Sequence, residues 1–396
     1  MSVSKQKKGT WYLNDAFKRI AFGCWGYAAT DSTGKLLYAM GRGAEGQFGN
    51  CRTDISHIGF PQELPGADWT GCLVETDGSY RSMMIRKADG SYWAVGNNDH
   101  GKLGTGDGSY RSSPTQLAGN WCMVTMSHQM GSGVKCDGTM WTWGYGAHGQ
   151  RGLSTPTCNY TTESCAEICQ VGTCTNWTHS GGGYHSAYGI RSDNTGWGWG
   201  YNGHGELAQL VNTCCYSSPI QIPGSWCELK GGYPSMGKKV DGSYWVWGHN
   251  PHGNIGNGTA SNNYCSPIAI PGIWIQMTDG RNGQQMLAGI KNDNTLWTWG
   301  LNSHGALGNN TTTPTCSPIQ VPGSWKYVAT GHRHTVAVKT DGTLWGWGHN
   351  TGEQRYHCSA VDFSSPIQLP GTNWVDVAGS YDGTYARKST PLADDL

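Results

Sequence analysis

One phrase recurs seven times along this chain of 396 residues, and its clearest copy is DGTLWGWGHN at 341–350. DNTLWTWGLN (293–302), DGSYWVWGHN (241–250), DNTGWGWGYN (193–202), DGTMWTWGYG (137–146) and DGSYWAVGNN (89–98) repeat it. A worn first copy, DSTGKLLYAMGRG, runs from Asp31 to Gly43. The glycines that close the phrase stand at 41, 96, 144, 200, 248, 300 and 348, a spacing of 48 to 56 residues. Self-similarity at that period belongs to propellers and solenoids, whose units bury their faces only against neighbours.

A second phrase lies in antiphase: SPTQLAGNW (113–121), SPIQIPGSW (218–226), SPIAIPGIW (266–274), SPIQVPGSW (317–325) and SPIQLPGTNW (365–374). FPQELPGADW (60–69) is a relaxed copy, and the third repeat keeps only a remnant ending in Trp177. A complete unit is thus about four strands long. Asp-Gly between apolar runs predicts a hairpin, with a type I′ turn that needs two residues at positive φ. In Trp141-Thr142-Trp143 the indoles are two residues apart, so on a strand they share a face and can fill the wedge between sheets. Gly144 ends that strand where the chain must turn without a Cβ. Ser-Pro opens another strand, and proline is tolerated there only at an outer edge. Units of this kind predict an all-β ring of four-stranded antiparallel blades.

The alternation of DGTLWxWGxNxxGxLG with SPxQxPGxW resembles the regulator of chromosome condensation repeat family. The resemblance spans roughly residues 16–388 and implies a seven-bladed β-propeller, with 1–15 as an N-terminal arm and 389–396 as a tail. Its motifs specify fold rather than function: the family includes an exchange factor for the Ran GTPase, chromatin binders and secreted β-lactamase inhibitors. The wording here, rich in Asn, Thr, Gly and Trp and poor in charge, is similar to copies on marine bacteriophage particles. Ring closure is expected from the termini. Trp374–Lys388 repeats the opening half of a unit, aligning with Trp325–Lys339, and no second half follows. Ala16–Thr30 could also serve as an opening half but lacks the Trp. The expected solution is a mixed blade in which the C-terminal segment completes Asp31–Pro65.

Net charge is zero and only 14% of residues are charged, so the basic face of a nucleic-acid binder is not expected. Lys5, Lys7, Lys8, Lys18 and Arg19 read as a solvated arm. No apolar run approaches the ~20 residues of a membrane span, and MSVSKQKKGTWYLNDAF lacks the apolar core of a secretory signal. The 15 cysteines nevertheless suit an oxidising destination. A virion or extracellular location reconciles the two, with a cytoplasmic one as the alternative. Cys158, Cys165, Cys169 and Cys174 crowd an insertion in the third repeat, and their spacing favours two loop disulfides over a zinc knuckle. Cys122 and Cys136 flank an expected hairpin whose turn centres near Gln129, which would set them face to face for a bridge.

His100, His148, His204, His252 and His304 are each followed by Gly, and His332 and His334 lie in GHRHT. They read as copied structural positions, since equivalent points of adjacent blades are too far apart to share an ion. No catalytic, metal or cofactor residue stands out, and an enzyme is not expected. The expected function is a non-enzymatic binding or structural propeller. It would be virion-associated and would hold a partner protein or a host-surface glycan for attachment. The alternatives are an enzyme-inhibitor-like or other protein-binding propeller and an exchange factor for a small GTPase. The residue after each closing glycine varies while its flanks stay constant, which makes Arg42, Asn97, Tyr145, Tyr201, His249, Leu301 and His349 the candidate partner-binding ring.

Overall fold

The computed structural model describes residues 82–87, 89–154, 164–209, 214–260, 263–278, 285–350, 361–379 and 384–388, with the backbone of six strands nearer the N-terminus. Leu37–Gly41, Tyr92–Gly96, Met140–Tyr145, Thr195–Tyr201, Tyr244–Gly248, Leu296–Gly300 and Leu344–Gly348 carry the seven copies of the repeated phrase. Each sits between antiparallel neighbours in a short up-and-down meander. One such meander runs Trp121–Met126, Met130–Lys135, Met140–Tyr145 and Ser164–Gln170 in spatial order. Strands therefore pair with their sequence neighbours, the arrangement with the shortest connections. Two meanders merge into one seven-stranded sheet because Cys215–Lys230 is continuous. Its first part pairs with Thr195–Tyr201 and its last with Ser235–Lys239.

Proline behaves as the edge rule requires. Pro267, Pro318 and Pro366 lie in Tyr264–Ala269, Thr315–Val321 and Phe363–Gln368, each the last strand of its sheet, where a missing N–H breaks no ladder. The Asp-Gly hairpins differ from the type I′ expectation. Gly138 has φ +81° whereas Asp137 is not at positive φ. Gly138 N–H donates to Lys135 O (2.9 Å) and Lys135 N–H to Thr139 O (2.9 Å). This is a three-residue loop closed by a left-handed glycine bulge, which needs only one residue at positive φ. The Asp side chain explains the choice: Asp137 Oδ1 accepts from Thr139 N–H (3.0 Å) and Thr139 Oγ1 (2.6 Å), and that hydroxyl accepts from Trp141 Nε1 (2.7 Å). The same relay recurs at Asp193, Asp241, Asp293 and Asp341.

The two indoles of each Trp-x-Trp pair share a face, but only the second is buried. Trp143, Trp199, Trp247, Trp299 and Trp347 are 0% exposed. Each donates its indole N–H to a backbone carbonyl of the preceding sheet: Lys102, Gln150, Glu206, Asn254 and Ala306, at 2.6–2.9 Å. The first indoles (Trp141, Trp197, Trp245, Trp297 and Trp345) are half-buried, so the two rings of a pair fill the wedge between sheets unequally. They sit nearer the rim, each covered by a cation: Lys135, Arg191, Lys239, Lys291 and Lys339 lie 3.5–4.1 Å from the ring centres. The core is consequently serial. Met84, Tyr92 and Ala94 of one sheet pack on Trp121, Val124 and Trp143 of the next, and comparable clusters follow along the chain.

The termini pair differently from expectation. Phe17–Gly23 and Gly26–Asp31 complete the sheet of Leu37–Gly41 and Ile58–Glu63 from its own chain. The hairpin Trp374–Gly379/Thr384–Lys388 pairs in parallel with Thr10–Leu13, which in turn pairs with Ser4–Lys5. A mixed blade of Trp374–Lys388 with Asp31–Pro65 is not formed. The adjoining segment reaches its partner through a short loop, at far lower closure entropy than a strand from the other end of the chain, and backbone pairing does not require its missing Trp. The segment that would open the second sheet at Trp69 lies outside the described residues.

Cys122 and Cys136 stand with Cα atoms 4.9 Å apart and sulfurs within bonding reach, although not by the expected register. The ladder pairs Trp121 with Lys135 and Met123 with Val134, so Cys122 sits in a bulge. The bulge recurs after Trp177, Trp226, Trp274, Trp325 and Trp374 and is a property of the repeat. It turns the residue after the tryptophan outward, and in this sheet brings Cys122 beside Cys136. Non-reducing peptide mapping should recover the two joined, and closing a loop of this length is worth about 3 kcal/mol on chain-entropy grounds. Free thiols at both positions in protein kept in air would refute the pair. The expected loop bridges fare otherwise. Cys169 is a free thiol against Arg151 NH2 (3.3 Å), and Cys174 is free and packs beside the cluster of Trp177 and Trp199. Their strand and core positions hold them in separate surroundings. Cys158 and the Cys165 side chain lie outside the described residues.

Candidate functional site

In an antiparallel meander the loop joining the first two strands and the loop joining the last two emerge at the same end. That end carries a belt of aromatic and imidazole rings. The histidine of four of the five His-Gly turns reaches across to the next unit and meets the residue following that unit's closing glycine. His100 lies 4.8 Å from Tyr145, His148 5.5 Å from Tyr201, His204 4.3 Å from His249 and His304 4.6 Å from His349, centre to centre. Histidines at equivalent turns do not touch one another, yet two repeated positions interlock into a chain around the end. Tyr145, Tyr201, His249, Leu301 and His349 of the candidate ring are half-buried there. Asn97 is buried, holding Asp99 Oδ2 from Nδ2 (2.9 Å) and accepting Asp99 N–H at Oδ1 (3.1 Å). Arg42 lies outside the described residues.

The first loops add residues that the repeat pattern does not single out. Tyr184 is 39% exposed, stacks 4.2 Å from His128, and meets His185 and Tyr233 edge-on or tilted at 4.5 and 5.8 Å. His185 stands 4.6 Å from His148, joining the two sets of loops. The available signal was topological: a loop between strands one and two must share an end with the turn after Trp-Gly. Those loops vary in wording, so the repeat alone does not flag them.

Burial sets the charge state of this belt. Desolvation, followed by neighbouring cationic groups, lowers His128, His185, His249 and His332 to about 4. These rings are neutral at pH 7. Glu206 occupies the position held by Gln150 and Asn254 in other His-Gly turns, and burial raises its carboxyl to about 7. Its Oε2 accepts the His204 N–H (2.9 Å), while Oε1 has no partner among the described residues. The buried Tyr188 hydroxyl donates to the Glu206 carbonyl (2.8 Å) and meets Ser235 Oγ (3.0 Å), tying the two meanders of the seven-stranded sheet together beneath the belt.

A pH dependence follows, with two opposing signs. A histidine held near 4 in the fold and ~6.5 when unfolded contributes stability above pH ~6.5 that is lost as pH falls towards 4. Glu206 acts oppositely, costing stability as pH rises from the ordinary carboxyl value of 4.5 through about 7. Four such histidines outweigh one carboxyl, so thermal melting should shift upward between pH 4.5 and 6.5. His185→Gln should flatten that rise; an unchanged slope would mean that this ring is already charged in the fold.

A cleft of about 530 Å³ lies among the opening strands, lined by Thr125, His179, Glu228, Lys230 and Lys238 with apolar neighbours. Glu228, the one carboxylate of its lining, is tied to Lys230 there. No helix among the described residues is long and apolar enough to cross a membrane.

Comparisons with known proteins agree on the architecture. Models of the regulator of chromosome condensation (RCC1) repeat match residues 293–338 and 325–354. The ultraviolet-B receptor UVR8 of Arabidopsis thaliana is 24% identical over 214 residues, 52% of this chain and 46% of the receptor. The chain thus spans about half the length of the curated relative it matches. Among solved structures, Prp20p of Saccharomyces cerevisiae superposes with a TM-score of 0.65 at 16% identity, covering 88% of this chain and 90% of that one. Human WBSCR16 gives 0.61 at 14% identity, covering 93% and 86%. At such identities the likeness is one of fold. Residues 293–354 thus carry regulator of chromosome condensation repeats, and the fold of the chain is similar to that of propellers built from them.

Proposed function

We propose that this chain is a non-enzymatic binding propeller that holds a protein partner on the end carrying the histidine–tyrosine belt. The observation behind this reading is the belt itself: aromatic and imidazole rings from successive units, in contact at 4.2–5.5 Å and partly open to solvent. Rigid aromatic groups give large contact area at low entropy cost, and interface hot spots are enriched in them. The same reading has seven blades in a closed ring, each with one copy of the glycine-closed repeated phrase, fastened where strands from both termini share a sheet.

A virion or extracellular setting, with a host-surface glycan as a second ligand class, is the companion proposal, supported by the exposed Cys122–Cys136 pair. Mass spectrometry of purified particles and secreted fractions tests it, and recovery only from reduced cytosol sinks it. For the partner, a stoichiometric companion should co-purify with the native protein and be lost from a Tyr145→Ser/Tyr184→Ser/Tyr201→Ser variant that keeps its melting temperature. Retention of the companion by that variant would remove the belt from the interface. An exchange factor is the second reading, because the fold neighbour Prp20p is described together with its binding to Gsp1p and histones. Accelerated release of labelled GDP from a small GTPase would favour it.

A further inference from the structure

We propose that His304, His349 and Asp362 form a three-ligand site for a divalent transition metal of the zinc class. One ligand atom from each lies within 4.8 Å of the others, and all three side chains are half-buried at the belt end. The Asp362 carboxylate is already oriented: Oδ2 meets His304 Nδ1 at 2.7 Å, and Oδ1 accepts the Asn350 backbone N–H at 2.9 Å. The backbone N–H fixes the carboxylate through Oδ1 and turns Oδ2 toward the imidazole, where a metal ion would take the place of the shared proton. Two imidazoles and one carboxylate are a hard-to-intermediate donor set suited to zinc, cobalt or nickel, with positions left open for water or a partner's side chain.

Tetrahedral coordination at ~2.1 Å needs ligand atoms roughly 3.4 Å apart. The described spread closes to that by rotation of side chains that are not locked in the core. The competing group is Arg333, whose NH1 lies 3.4 Å from His304 Nε2. That contact makes Nε2 an acceptor and leaves the ring proton on Nδ1, facing Asp362. Metal binding at Nδ1 transfers that proton to Nε2 through solvent. The exposed Arg333 side chain then turns to water, which at 3.4 Å means losing a weak contact.

The repeat supplies an internal comparison. One junction earlier in this series, His204 and His249 make the same ring contact at 4.3 Å, and the residue at the Asp362 position is Asn263, whose Nδ2 meets His204 Nδ1 at 3.1 Å. There the third donor is a neutral amide, a poor ligand. At the two junctions before it Tyr145 and Tyr201 replace the second histidine. Among these four junctions, the His-His-carboxylate combination occurs only between His304 and Asp362.

Titration of the metal-free full chain with Co2+ alone tests this, following the visible d–d absorbance. One equivalent should bind with the band of an imidazole–carboxylate site, and Zn2+ should displace it. Asp362→Asn, which copies the Asn263 junction, should weaken cobalt binding at least tenfold with an unchanged circular dichroism spectrum. Asn263→Asp should add a second equivalent by completing the earlier junction. Absence of saturable cobalt absorbance in the wild-type chain, or undiminished affinity in Asp362→Asn, would overturn the site.

Discussion

Replacing Trp347 with alanine is expected to destabilise the protein by about 3–5 kcal/mol, the range for a buried aromatic, while Trp345→Ala, two residues away, should cost only ~1–2 kcal/mol. Trp347 is 0% exposed and lies among Leu296, Val321, Trp325, Val328 and Ala337, with the Trp325 ring 5.8 Å away. Its indole N–H donates to Ala306 O at 2.8 Å, a bond that crosses between sheets. Truncation therefore opens a cavity and removes one of the two hydrogen bonds on the Ala306 carbonyl, which keeps the Thr335 hydroxyl at 2.8 Å. Trp345 loses a hydrogen bond to Thr343 Oγ1 (2.9 Å) and the cover of Lys339 (3.8 Å), but water can enter where it stood. Urea denaturation of both variants measures the difference. Equal costs would mean that the two indoles play the same part, which the burial pattern denies.

That asymmetry marks the limit of what repeat grammar conveys. Period-two spacing places Trp345 and Trp347 on one face, and they do share it. It does not say how far from the propeller rim each lies, because that depends on sheet twist and on which cation of the neighbouring strand covers the outer ring. Four-stranded units, the edge prolines and the glycine after Trp-Gly were all legible, since each follows from a backbone constraint carried by one residue type. Gly300, at φ +98°, shows the constraint directly: a Cβ there would lie 2.5 Å from Gln285 O.

Other features were hidden for stated reasons. The bulge after each opening tryptophan has no sequence marker, so the approach of Cys122 to Cys136 arises through another register than the one expected. The Asp-Gly hairpin turned out to need one positive φ instead of two, because the Asp–Thr–Trp relay rewards a longer loop. The histidine of the His-Gly turn looked isolated when compared only with its own copies. Its neighbour is a different repeated position on the next sheet, a relation fixed by packing between units. The termini were least legible, since either of two segments could complete the first sheet and only loop-closure cost separates them.

Truncation after Gly371 should be the most damaging change of all. It removes the hairpin Trp374–Gly379/Thr384–Lys388, whose Trp374 is 2% and Ala386 1% exposed. These residues cover Val338, Leu344 and Leu369 of the preceding sheet, themselves at 0–1% exposed. Losing Trp374 alone should cost about 3–5 kcal/mol, and uncovering three more aliphatic side chains adds ~1.5–3 kcal/mol each at full exposure. The sum is comparable to the ~5–15 kcal/mol that holds a whole domain together. The cut also removes the partner of Thr10–Leu13 and bares that strand's edge, a template for association with another chain. The truncated chain should therefore be recovered mainly as aggregate. Because such a chain yields little else to measure, Trp374→Ala in the full-length protein supplies the graded readout, a melting temperature lowered by several degrees. A truncated protein that stays soluble and melts with the intact one would show that the terminal sheet is an appendage, and that the blades hold together without it.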